Sequence, residues 1–138
     1  MTIADLVVGQ EVARGTLRVD RARLVRYARA SGDQNPIHQD ESAALAVGLP
    51  GVIAHGMWTM GAAVQVVVDW VGDPGLVVGY STRFTRPVPV PADGEATPEV
   101  VATVGAVSPA EGTARIDLDV TLDGSKVLGK AQVVVRLA

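Results

Sequence analysis

The apolar run Gly56–Val71, GMWTMGAAVQVVVDWV, constrains the fold of this chain more than any other segment. Its consecutive valines and two tryptophans favour a strand by residue preference, but its length of about four helical turns favours a helix. Gln65 and Asp69 lie four residues apart, a spacing that places them on one helix face. We therefore predict a helix that is apolar nearly all round and is enclosed by other structure. The run is shorter than the ~20 residues that span a bilayer, so we expect no membrane segment.

The residues after this run alternate between apolar and polar side chains, as antiparallel strands with one buried face do. Leu76–Thr85 predicts one strand, and Thr113–Leu122 predicts another that the turn Asp123-Gly124 joins to a partner strand. Three prolines in the range 87–91 predict an edge or an irregular connection. The apolar face of such a sheet can cover the apolar helix. The sequence thus predicts an α+β fold in which a curved antiparallel sheet wraps one long central helix.

The front of the chain predicts two further helices. Asp20 can cap a helix over Arg21–Ala30, and Gly32 suits the left-handed position that ends it. Asp40 can cap a shorter helix that stops at Gly48. In the first of these helices the apolar residues share one face, and the opposite face carries three arginines, Arg23, Arg26 and Arg29.

Composition excludes several classes of function. With 138 residues and a net charge of −3, the chain is one domain long and lacks the broad basic surface of a nucleic-acid binder. The absence of cysteine excludes disulfides, thiol catalysis and thiolate metal sites. No basic stretch followed by a long apolar run opens the chain, so we expect a cytoplasmic protein without a secretory signal.

Both histidines lie near one loop and the start of the apolar helix. Asp33 and His38 flank Pro36, which stiffens their loop, so a carboxylate and an imidazole can converge for acid–base chemistry. Each residue also has a structural interpretation. Asp33 can cap the following turn, and His38 and His55 can simply hydrogen-bond the backbone around them. The two histidines and Asp33 could also bind a metal, an interpretation that we set aside.

Gly56 adds a third element to this region. It opens the apolar helix, and no residue before it is suited to cap the helix with a side chain. The free N–H groups and the positive end of the helix dipole would stabilise an oxyanion placed there. A glycine at this position lets a substrate approach the backbone closely.

The stretch Tyr27–Met60 resembles the hydratase-2 motif of the MaoC-like hot-dog family. The match is carried by Ser31-Gly32-Asp33, Asn35-Pro36-Ile37-His38 and His55-Gly56-Met57, and Arg83–Val88 resembles the family's strand after the central helix. The turn Val71–Gly75 and the proline-rich stretch Pro87–Pro91 resemble the corresponding segments in the catalytic subunits of heterodimeric (3R)-hydroxyacyl-ACP dehydratases. The resemblance covers nearly the whole chain and implies one hot-dog dehydratase domain over residues 1–138.

The resemblance implies a hydro-lyase that reversibly dehydrates (3R)-hydroxyacyl thioesters to trans-2-enoyl thioesters in fatty-acid metabolism, most simply in chain elongation. Asp33 and His38 match the catalytic pair, with His38 as base at C2 and Asp33 as acid at C3. The Gly56 N–H matches the oxyanion donor, Asn35 matches the residue that holds the loop, and His55 belongs to the same substrate-binding region. No metal or redox cofactor is implied, because the thioester itself acidifies C2. Some R-specific hydratases carry a serine on the central helix where Val64 stands here.

The implied partners are an acyl thioester on acyl carrier protein or coenzyme A and a second hot-dog chain, identical or related, with no nucleic acid and no membrane. Three rival functions remain open: a non-catalytic acyl-chain-binding subunit of a heterodimeric dehydratase, an R-specific enoyl-CoA hydratase of fatty-acid breakdown, and a thioesterase. The stripe Arg23, Arg26 and Arg29 has two interpretations, a solvated helix face or a docking site for the phosphates or the acidic helix of the carrier.

Overall fold

A computed structural model describes all residues, Met1–Ala138, and its elements follow the predicted order of helices first and sheet second. The helices are α1 (Arg21–Ser31), α2 (Glu41–Ala46) and α3 (Gly56–Val71). The strands are β1 (Glu11–Thr16), β2 (Val77–Phe84), β3 (Glu99–Ser108), β4 (Thr113–Leu122), β5 (Ser125–Lys126) and β6 (Leu128–Arg136). Short 3₁₀ turns lie at Ile3–Asp5, Pro36–His38 and Pro74–Leu76.

The sheet is antiparallel and open, with the strand order β1-β3-β4-β6-β2 and β5 paired to β4. The bounds of α3 and β4 are as predicted, and Asp123 and Gly124 form the turn after β4 with φ values of 51° and 78°. The predicted strand 76–85 is one residue shorter at each end. Two strands, β1 and β3, are not among the strands that the sequence identified individually.

The sheet wraps α3, as predicted, and one cluster of 23 buried residues fills the space between them. The helix is less enclosed than its composition predicts, which corrects the expectation of burial nearly all round. Only Thr59, Ala63 and Val67 of α3 are fully buried. An exposed stripe, Met57, Gly61, Gln65 and Asp69, repeats every fourth residue on the opposite side, because the sheet is open and leaves that side uncovered.

Helix α1 has the predicted caps and faces. Asp20 accepts a hydrogen bond from the Arg23 N–H at 2.8 Å, and Gly32 ends the helix in the left-handed conformation with φ 82°. Leu24 and Ala28 are fully buried, while Arg23, Arg26 and Arg29 are exposed.

The proline-rich stretch is an irregular connection, as predicted, that pairs with the segment before α3. Val90 N–H donates to the Val52 carbonyl and Ala54 N–H donates to the Val88 carbonyl, both at 2.9 Å. Val88 and Val90 are buried in the core, while the three prolines that alternate with them are exposed. This pairing fixes the backbone of residues 52–54, which leads directly into α3. None of the helices combines the length and the apolar character that a membrane-spanning helix requires.

Candidate active site

The loop after α1 is held by side chains that bond to its own backbone. Asp33 Oδ1 accepts from the Asn35 N–H at 3.1 Å, and Asn35 Oδ1 accepts from the Ile37 N–H at 3.2 Å. Pro36 then opens the 3₁₀ turn that ends at His38. Asp33 therefore does act as a turn cap through one of its oxygens, which leaves Oδ2 free of that bond.

His38 is buried and its ring is fixed by one hydrogen bond. Its Nδ1 lies 2.8 Å from the Ile53 carbonyl oxygen, and because a carbonyl only accepts, Nδ1 must carry the proton. In the neutral ring the other nitrogen, Nε2, is then an unprotonated base. Nε2 faces the Asp33 Oδ2 at 4.0 Å. The structure thus brings together the two side chains that the sequence paired.

His55 lies directly behind this pair. Its ring stacks on the His38 ring with 3.9 Å between centroids, and its Nε2 donates to the Asp33 carbonyl at 3.1 Å. Tyr27 packs against the other side of the His55 ring at 4.7 Å. Burial lowers the pKa of His55, so the ring is neutral near physiological pH. Its Nδ1 is buried and has no hydrogen-bond partner.

The start of α3 presents free backbone donors to the same place. His55 is the residue before the helix, and it makes no side-chain cap bond. The Gly56 N–H has no hydrogen-bond partner within the chain. The ring of Phe84 lies against Gly56, so close that a Cβ on Gly56 would sit 3.0 Å from the Phe84 Cε1 atom.

The Asp33–His38 pair and the start of α3 border a cavity of about 410 Å³. Its floor is buried and mainly apolar, and comprises Ala54, Thr59, Val88, Val127 and Leu128. Its rim is exposed and comprises Asp33, Met57, Phe84, Thr85, Arg86 and Pro87. Of the residues that the sequence singled out, Asp33, His38 and Gly56 line the cavity. Asn35, His55 and Val64 do not line it.

Thr59 and Phe84 are among the lining residues that the sequence did not predict as site residues. Thr59 is the buried polar residue of α3 nearest to the site, and its Oγ donates to the His55 carbonyl at 3.4 Å. A lone threonine early in an apolar helix was the available signal. Phe84 carried no such signal, because its place at the rim depends on how the end of β2 meets the start of α3.

The donor set fits a metal ion poorly. Atoms of Asp33, His38 and His55 lie within 4.8 Å of one another. A metal ion must lie in the plane of each imidazole at ~2.0–2.1 Å from its nitrogen. The two rings are stacked with only 25° between their planes, so one ion cannot meet that requirement for both histidines.

The sequence matches a protein-family model and several known proteins. The family model described as "MaoC like domain" matches residues 5–120. The chain is 45% identical over 76 residues to 3-hydroxyacyl-thioester dehydratase X of Mycobacterium tuberculosis. That match covers 55% of this chain but only 26% of the relative, so the chain spans about a quarter of that relative's length.

Solved structures agree with this result. A MaoC-like dehydratase is 38% identical with a TM-score of 0.95, over 99% of this chain and 42% of the other. The (R)-hydratase of A. caviae is 26% identical with a TM-score of 0.83, over 96% of this chain and 98% of the other. The HadBC (3R-Hydroxyacyl-ACP Dehydratase) complex of Mycobacterium tuberculosis shares the fold at 19% identity and a TM-score of 0.72, over 94% of this chain and 97% of the other.

Proposed function

The chain belongs to the MaoC-like domain family, and from that premise we propose that it reversibly dehydrates (3R)-hydroxyacyl thioesters to trans-2-enoyl thioesters. Its relatives include a 3-hydroxyacyl-thioester dehydratase and an (R)-hydratase, which act in the two directions of this reaction. The observation that carries the proposal is the His38 ring, whose Nδ1–H is committed to the Ile53 carbonyl while Nε2 faces Asp33 at the cavity.

In the dehydration direction, His38 Nε2 removes the proton from C2 of the substrate. The electron pair of the C2–H bond forms the C2=C3 double bond, and the C3–O bond breaks. Asp33, protonated in this direction, gives its proton to the departing hydroxyl, which leaves as water. In the hydration direction, the Asp33 carboxylate takes a proton from the attacking water, and the His38 imidazolium returns a proton to C2. One proton shared by the pair therefore serves both directions.

The Gly56 N–H donates to the thioester oxygen while negative charge develops there. Because its amide has no partner in the chain, it is free to make this bond without breaking another. The helix dipole of α3 acts in the same sense, since its positive end lies at Gly56. The buried apolar floor around Val127 and Leu128 receives the acyl chain.

Asn35 and His55 act as positioning residues in this scheme. Asn35 keeps the turn between the two catalytic residues closed through its bond to Ile37. His55 contacts both members of the pair, since it stacks on the His38 ring and holds the Asp33 carbonyl. A neutral ring at that place does not oppose formation of the His38 imidazolium, which a second charged imidazole would do.

A hydration assay tests the proposal. We expect the protein to consume crotonyl-CoA with loss of the enoyl absorbance and with no release of thiol, and to form the R product. Release of free thiol without loss of the enoyl group would indicate a thioesterase. No turnover of short or long enoyl thioesters, on coenzyme A or on acyl carrier protein, would indicate a non-catalytic subunit.

We further propose that the domain works as a dimer, with a second copy or with a related hot-dog subunit, in the cytoplasm. The edge strands β1 and β2 each have one unpaired side. A groove between β1 and α3 is lined by the half-buried side chains of Ala62, Val66 and Trp70. Pairing along such an edge would cover both the backbone groups and the apolar side chains. Light scattering at micromolar concentration checks self-association, which a monomeric mass would contradict.

A further inference from the structure

We propose that a second groove, between α1 and the first turn of α3, binds the phosphorylated adenosine end of coenzyme A. This inference rests on the proposed function, because it concerns the carrier of the same acyl thioester. The groove has a volume of about 300 Å³ and is lined by Arg23, Arg26, Tyr27, Ala30 and Trp58. None of these residues lines the candidate active site.

The two arginines of this groove have no acidic partner. The other ion pairs of the chain engage Arg14, Arg18, Arg21, Arg115 and Lys126, and none includes Arg23 or Arg26 within 4.0 Å. Both side chains are exposed on the same face of α1. In a chain whose net charge is −3, this gives a local positive surface whose hydrogen-bond donors are uncommitted.

The chemistry of the lining fits a nucleotide. Guanidinium groups bind phosphate oxygens in pairs of parallel hydrogen bonds, and the adenosine end of coenzyme A carries a diphosphate and a 3′-phosphate. The half-buried rings of Tyr27 and Trp58 offer flat surfaces on which a base can stack. A groove with aromatic walls suits a small planar ligand better than the rounded helix of a carrier protein, so we assign the groove to coenzyme A.

The position of the groove fits a carrier that reaches the active site. Trp58 follows Met57, which stands on the rim of the catalytic cavity, so the two sites share the first turn of α3. Tyr27 contacts the ring of His55, whose opposite face stacks on His38. The two sites are therefore neighbours, and the flexible pantetheine arm of a ligand with its phosphates at Arg23 and Arg26 would connect them.

Adenosine 3′,5′-bisphosphate is the probe that tests this site, with the double variant Arg23→Ala/Arg26→Ala and the control Arg29→Ala. Arg29 is exposed on the same helix but does not line the groove. We expect the probe to bind the wild-type protein and the control, measured calorimetrically, and to compete with crotonyl-CoA. In the double variant, KM for crotonyl-CoA and the Kd of the probe should rise about ten- to a hundredfold. Turnover of crotonyl-pantetheine, which carries no phosphate, should stay unchanged.

Three results would overturn the assignment. One is failure of the probe to bind the wild-type protein. Another is an equal effect of Arg29→Ala and of the double variant. The third is a rise in KM for a crotonyl acyl-carrier-protein substrate without competition by the probe, which would assign the arginines to a protein carrier. Calorimetric binding needs no turnover. An inactive protein that still binds the probe would therefore refute the proposed function while supporting the assignment of the groove to the adenosine end of coenzyme A.

Discussion

Asp33→Asn separates the chemical role of this residue from its structural role. One carboxylate oxygen, Oδ1, caps the turn by accepting from the Asn35 N–H at 3.1 Å, and the other, Oδ2, faces His38 Nε2 at 4.0 Å. Asparagine has the same shape and keeps an oxygen that can accept the capping bond. It replaces the second oxygen by an amide NH₂, which neither takes nor gives a proton at neutral pH.

The expected effects on stability and on rate therefore differ widely. The side chain is about half exposed, at 52%, and the capping bond survives, so the free energy of unfolding should change by less than ~0.5 kcal/mol. Loss of a general acid–base group lowers turnover by about 10²–10⁴. That loss corresponds to roughly 2.7–5.4 kcal/mol in the activation free energy.

The assay is hydration of crotonyl-CoA by the wild-type protein and the variant, with urea unfolding measured on the same samples. Asp40→Asn is the matched control, because Asp40 Oδ1 accepts from the Ser42 N–H at 3.0 Å in the same local geometry and does not line the cavity. The control should keep full activity. If Asp33→Asn retains turnover within tenfold of the wild-type value, Asp33 does not transfer a proton and the mechanism is refuted.

Three further perturbations test the surroundings of the pair. His38→Ala should abolish turnover and also lower the free energy of unfolding by ~1–3 kcal/mol, because the Ile53 carbonyl loses its 2.8 Å hydrogen-bond partner. Unchanged stability in urea would contradict that hydrogen bond. Burial lowers the pKa of His55 in the folded protein, so below pH ~6.5 the unfolded chain binds more protons and the free energy of unfolding falls as the pH drops. His55→Gln should make this fall smaller in thermal melts measured over a series of pH values. Tyr80→Phe removes the 2.8 Å bond from the hydroxyl to the Met60 carbonyl and should cost ~0.5–1.5 kcal/mol of the free energy of unfolding. Burial raises the pKa of Tyr80 to about 12, so this variant and the wild-type protein should give the same spectroscopic titration near pH 10 before unfolding.

Periodicity explains which elements were predictable. The alternation over Thr113–Leu122 and the length of Gly56–Val71 each determine an element from local sequence alone. Strand β1 is different, because Gly15 interrupts its pattern and strands disfavour glycine. The reason is visible only in three dimensions. A Cβ at Gly15 would lie 3.1 Å from the Val66 Cγ2 atom, so close packing of β1 on α3 favours a glycine there.

In the candidate active site, too, local contacts were predictable from the sequence and contacts between distant segments were not. The spacing of Asp33 and His38 around a proline was enough to predict that they converge, because that contact is local. The stacking of His55 on His38 joins residues from two segments, and it depends on the Ile53 carbonyl and on the pairing of Ala54 with Val88. Residue types gave His55 only a hydrogen-bonding role beside the helix. Nothing in the local pattern indicated that its ring would contact both members of the pair.

The two histidines of this chain hold their protons on opposite nitrogens. His38 donates from Nδ1 and His55 donates from Nε2, each to a backbone carbonyl. In a ¹⁵N-labelled sample the two imidazoles should therefore give contrasting tautomer patterns, each serving as the internal reference for the other. With only these two imidazoles in the sequence, the spectrum needs no further assignment to follow which ring gains a proton.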